Sequence, residues 1–178
     1  MNPRFFLETL QASALAEWMR YSGAAPFIES THVVAAVLLF GTVLVVDLRL
    51  LGLADTRLGF TRIGWQTWPL TWLAFGVAVI TGWLMFTASA VAYSGNTAFR
   101  LKVLALCGAG LNMALFHVVT ARRVAEWHQG APTPRAARIA GLVSVLLWAS
   151  VVLLGRWIGF TKGYDFTIPP GVELGFGP

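Results

Sequence analysis

Few side chains in this chain could bind a metal or move a proton, and their spacing groups them. In 178 residues there are three histidines, one cysteine and eight carboxylates. Glu29 and His32 are three residues apart, and at 100° per residue they share a helical face with Ala36, Phe40, Val43 and Asp47. Lys102, Leu106, Ala109, Met113 and His117 form a second stripe by the same count. A third face, Thr71, Ala78, Gly82 and Met85, is mostly small and would let helices approach closely.

Inward-facing histidines in a four-helix membrane bundle suit axial ligation of heme b. His32 and His117 are the candidate axial ligands, with Met85 as a partner for His32 and with Arg100, Lys102 and Arg156 for the propionates. The same residues suit a metal ion held by Glu29 and His32, or an anionic substrate. A plainer arrangement fits as well: Glu29 pairs with Lys102 or Arg156, and His32 donates to a backbone carbonyl. At the opposite end, His117 could lock onto Asp47 with Arg49 beside it. Asn112 in mid-span reads as interhelical glue worth about 0.6 to 2 kcal/mol.

Depth limits the heme reading. His32 opens its span and His117 nearly closes its own, and those two spans run in the same direction. At 1.5 Å per residue the imidazoles are separated by roughly 20 Å along the membrane normal. One iron cannot take both, so a heme on either histidine needs another second ligand or stays five-coordinate. Glu29-x-x-His32 has the spacing of half a carboxylate-bridged di-iron site, and the other half is missing. No GxSxG, HExxH, P-loop or GxGxxG pattern occurs, so no catalytic residue is assigned. Cys107 is single and reads as packing; His128, on a basic loop, reads as solvated.

The elements that must position these groups follow from composition. Apolar residues make up 57% and charged residues 12%, against about 45 to 50% and about 25% in ordinary soluble domains. Four apolar stretches, about residues 26–50, 68–90, 99–122 and 137–159, can each cross a hydrocarbon core, which takes about 20 residues. The sequence therefore predicts an all-α integral membrane protein: a four-helix up-down bundle over 24–160, an interfacial amphipathic helix within 1–23, and an extended tail over 161–178. Phe6, Leu10, Ala14 and Trp18 supply the apolar face of that N-terminal helix. Pro69 suits the first turn of the second span, and Tyr93–Asn96 reads as a turn.

The formal net charge is +5, but the thirteen Lys and Arg residues gather at span ends, where lipid phosphate is the counter-charge and nucleic acid is not implied. Counting those beside the spans gives seven on the side of the first and third connections and six on the other. With the plain basic third loop, that count puts both termini outside the cytoplasm.

At FIESTHVV, DLRLLGL and FRLKVLALCGAGLNMALFHVV the chain resembles an uncharacterised family of small bacterial four-span inner-membrane proteins. Its pattern is E-x-x-H, D-L-R-L-L-G, K and N-x-x-x-x-H, met here by Glu29, His32, Asp47, Arg49, Lys102, Asn112 and His117, and the likeness covers about residues 15–160. It implies a bacterial inner-membrane location, where the charge count above makes the termini periplasmic. A looser likeness links it to b561-type cytochromes and copper-resistance membrane proteins, although those cytochromes pair histidines at matched depths. The expected function is a small membrane subunit that binds heme b or a metal near His32 and relays electrons to a partner or quinone. The partner would be a larger membrane or periplasmic protein, or a second copy. The alternatives are a non-catalytic membrane anchor or accessory subunit, and an anion or small-molecule carrier.

Overall fold

A computed structural model describes residues 3–54, 60–116, 118 and 133–161, with side chains from residue 4 and excluding those of 60–66. His117, His128, most of the third connection and the tail from 162 lie outside the described residues. The described elements are all helices: α1 (Pro3–Gln11), α2 (Ala14–Tyr21), α3 (Ala25–Leu51), α4 (Phe60–Ala88), α5 (Ala90–Gly95), α6 (Thr97–Leu115) and α7 (Arg135–Thr161). Four of them, α3, α4, α6 and α7, are long and apolar enough to cross a membrane. Their apolar side chains point outward: Leu104 is 66% exposed and Leu153 70%. A water-borne globule would bury such residues, so the surrounding solvent that fits these helices is lipid.

Several local expectations are revised. The N-terminal amphipathic segment is two helices, because the Ser13 side chain accepts from the Ala16 backbone N–H at 3.3 Å and starts α2 anew. Pro69 lies inside α4, which begins at Phe60, well before Pro69. Tyr93 and its neighbours form a short helix, α5, in place of an open turn. Asn96 then caps α6 by accepting from Phe99 N–H at 3.1 Å. At the far end of α3, Gly52 adopts φ 77°, with Gly52 N–H bonded to Arg49 C=O at 3.2 Å and Leu53 N–H to Leu48 C=O at 3.0 Å. Only glycine takes that left-handed turn without strain, so the first span stops there.

Consecutive spans run antiparallel. His32, early in α3, meets Thr81, late in α4; Leu50, late in α3, meets Gly141, early in α7; Lys102, early in α6, meets Gly155, late in α7. The packing order is α4, α3, α7, α6: α3 lies against both α4 and α7, and α6 lies against α7. Among the described residues, α4 and α6 do not pack extensively on each other. They are tied together at the end that carries α1 and α2, where Phe86 and Phe99 stack at 5.5 Å and Tyr93 stands 5.2 Å from Phe99. Leu154 and Ile158 of α7 pack against this aromatic plug. At the other end, Leu50, Phe116 and Ala137 form a second small cluster from α3, the end of α6 and α7.

Candidate functional site

Immediately inside the aromatic plug lies a polar layer to which all four spans contribute. The position follows from helix geometry: Gly82 is one turn from Phe86, Lys102 one turn from Phe99, and Gly155 one turn from Ile158. His32 Nδ1 lies 3.0 Å from the Thr81 hydroxyl oxygen. That hydroxyl donates to Val77 C=O at 2.6 Å, so its one hydrogen is used. The hydrogen between His32 and Thr81 is therefore the ring's own Nδ1–H, and in the neutral ring Nε2 keeps its lone pair. A Cβ at Gly82 would stand 3.1 Å from His32 Cε1, which means the imidazole rests directly on the α4 backbone. The small face expected from the sequence, with Gly82 in it, is thus the seat of His32.

Lys102 reaches from α6 across to α7. A Cβ at Gly155 would be 3.2 Å from its Nζ and 3.7 Å from its Cε. The ammonium is also within electrostatic range of His32. The two cations expected beside it go elsewhere. Arg100 is exposed and donates from Nε to Ser94 C=O at 2.7 Å; Arg156 is exposed and lies over the Phe160 ring at 4.7 Å. Glu29 is exposed and lines a cleft of about 240 Å³ with Met19, Arg20, Met85, Ser89 and Tyr93. The structure therefore brings Glu29 and Met85 together, and His32 near Lys102, but does not gather Glu29, Lys102 and Arg156 into one cluster. Among the described residues no group of three His, Cys, Asp or Glu side chains could hold a metal ion.

For heme, Met85 is on the helix that His32 already touches. The imidazole rests on that helix at Gly82, one turn before Met85. His117 lies outside the described residues. Phe116, at the described end of α6, packs with Leu50, which is eighteen positions along α3 from His32, or about 27 Å.

The other end of the bundle carries its own polar pairs. Asp47 is 4% exposed and accepts from the Ser144 hydroxyl of α7, while its Oδ2 has no partner among the described residues. Arg49, 6% exposed, reaches the Thr133 hydroxyl oxygen at 3.4 Å. Asn112 of α6 donates to Ala140 C=O of α7 at 3.0 Å, so the glue expected there is present. Gly141 makes these contacts possible, since a Cβ on it would lie 3.0 Å from Leu50 Cβ and 3.2 Å from Asp47 C=O. Thr81, Ser144, Thr133, Gly141 and Gly155 were not legible as site residues. Hydroxyl and glycine positions within apolar runs were the available signal, and only Gly82 among the glycines was singled out.

Residues 6–161 match the model of a family described as "Family of unknown function (DUF6644)". The chain belongs to this family. The matched span takes in α2 to α7 and most of α1, so the polar layer and the inner pairs all lie within the family region. No curated protein and no solved structure matches the chain significantly.

Proposed function

We propose that this protein is a small accessory membrane subunit whose buried polar groups fix the arrangement of its four spans. One observation carries the reading: polar side chains in the spans are bonded across helix interfaces, His32 to Thr81, Asp47 to Ser144 and Asn112 to Ala140. Such cross-helix bonds average about 0.6 kcal/mol in lipid, with a maximum of about 1.7, enough to select one register but not chemistry. The subunit would act by presenting this bundle to a larger membrane or periplasmic partner, or to a second copy. The test is to purify the protein, record its visible spectrum and metal content, and replace the paired groups one at a time. The reading expects no Soret band, no stoichiometric transition metal, and a stepwise loss of stability from each replacement.

A second reading is a heme b or metal site on His32, relaying electrons to a partner or quinone. It is favoured by the bond to Thr81, because a histidine whose Nδ1–H is held by a neighbour offers Nε2 as a ligand. In this reading His32 takes one axial position, and the sixth ligand is Met85, a group from another chain, or absent. A Soret band lost in His32→Ala and kept in His128→Ala would establish this reading and overturn the first. The carrier reading has less support, because Glu29, Lys102 and Arg156 do not share one cavity.

A further inference from the structure

Lys102 is the group that the cross-helix pairing leaves over. Its ammonium sits against Gly155 of α7, and among the described residues no carboxylate pairs with it. His32 is within electrostatic range but carries no negative charge, so it is not a counter-ion. Glu29, the nearest acid along the chain to His32, is exposed in a separate cleft. Phe86, Tyr93 and Phe99 stack against one another at the end of the bundle next to this layer. Toward the membrane the packing is looser: α4 and α6 do not pack extensively on each other away from the plug. A half-buried ammonium among apolar helices calls for an anion, and the loosely packed side on which one can approach faces lipid.

We propose that Lys102 is a binding site for the head of an anionic amphiphile, a carboxylate or a phosphate, that enters from the leaflet near the chain's N-terminal end through the gap between α4 and α6. The ammonium provides the charge, Gly155 the space, and the acyl chain stays in the bilayer. This goes beyond the accessory-subunit reading, which needs only the cross-helix pairs and would survive if the site were empty.

Native mass spectrometry of the detergent-solubilised full chain tests it, with phosphatidylglycerol, oleate, phosphatidylcholine and monoolein added separately. The expected result is a one-to-one adduct with phosphatidylglycerol, oleate or both, kept in Lys102→Arg and weakened about tenfold or more in Lys102→Gln. The arm that forms the adduct identifies the phosphate or the carboxylate as the natural head. Gly155→Leu, which keeps the charge but fills the seat, is expected to weaken the same adduct, and it decides the matter if Lys102→Gln does not fold. Equal adducts in wild type and these variants would overturn the proposal. So would equal binding of phosphatidylcholine, or loss of the adduct in Arg100→Gln or Arg156→Gln while Lys102→Gln keeps it.

Discussion

Replacing Gly141 by alanine is expected to be costly where the same change at Gly76 is not. At Gly141 the added methyl would sit 3.0 Å from Leu50 Cβ and 3.2 Å from the Asp47 carbonyl oxygen. Favourable carbon contacts lie at about 3.5 to 4.0 Å, so α3 and α7 must separate by roughly half an ångström or more. Neither neighbour can swing away: one is a Cβ fixed to the α3 backbone, the other a helical carbonyl. Overpacking of this kind costs about 1 to 3 kcal/mol. Alanine recovers up to about 1 kcal/mol over glycine in helix propensity. The net loss is therefore about 0 to 2 kcal/mol. At Gly76 a Cβ meets nothing within 4 Å, so Gly76→Ala keeps only the propensity gain. Unfolding of the two variants in mixed micelles, followed by far-ultraviolet circular dichroism, should place them about 2 kcal/mol apart. If Gly141→Ala unfolds with Gly76→Ala or after it, the close approach of α3 and α7 is not what orders this end of the bundle.

Ser144→Ala removes the hydroxyl that Asp47 accepts from, leaving a carboxyl that is 4% exposed with no partner among the described residues. It should cost about 1 to 3 kcal/mol in the same unfolding assay, and a cost below that of an exposed control such as Ser30→Ala would count against the pair. Asn112→Ala gives up the bond to Ala140 and should lose about 0.6 to 1.7 kcal/mol, whereas Cys107→Ala on the exposed side of α6 should be close to neutral. The stacked Phe86 and Phe99 should show a coupling of about 0.5 to 1.5 kcal/mol in a double-mutant cycle with leucine replacements. Additive single losses there would mean that the plug is held by α7 alone.

The accessory-subunit reading and the amphiphile site make separate demands on the same layer. His32→Ala should loosen α3 from α4 and lower stability, because it removes both the bond to Thr81 and the packing on Gly82. Lys102→Gln should change stability little, since its side chain makes no cross-helix bond among the described residues, while it changes which lipids co-purify. A protein in which both variants affect only stability has a structural layer without a bound head group.

Much of the candidate site was visible as residue types and very little as partners. His32, Asp47, Asn112 and Lys102 stood out because an ionisable or amide group in an apolar run is expensive and must be accommodated. Where each one turned was not visible. His32 was expected to donate to a backbone carbonyl and does bond to the Ala78 backbone, but the Thr81 hydroxyl oxygen, 3.0 Å from its Nδ1, was a partner the sequence did not show. Arg100 and Arg156 looked like neighbours of Lys102 by height alone, but α6 and α7 rotate them outward. The break at Ser13 and the early start of α4 at Phe60 were also missed, because a capping side chain and a tolerated internal proline act over a few residues against a strong periodic background.

By itself the sequence determined that lipid is the solvent, that four helices cross it, and which few polar groups must be accommodated there. Those are local sums: about 20 consecutive apolar residues cross the hydrocarbon core whatever their neighbours do. Only the tertiary structure decided which group faces which. A shift of one residue turns a side chain by about 100° and moves it about 1.5 Å, enough to exchange Thr81 for another partner or to carry Lys102 off Gly155. Register and rotation of that fineness are fixed by Gly82, Gly141 and Gly155, where a single methyl would push helices or side chains apart, and glycine has no side chain by which to announce that role.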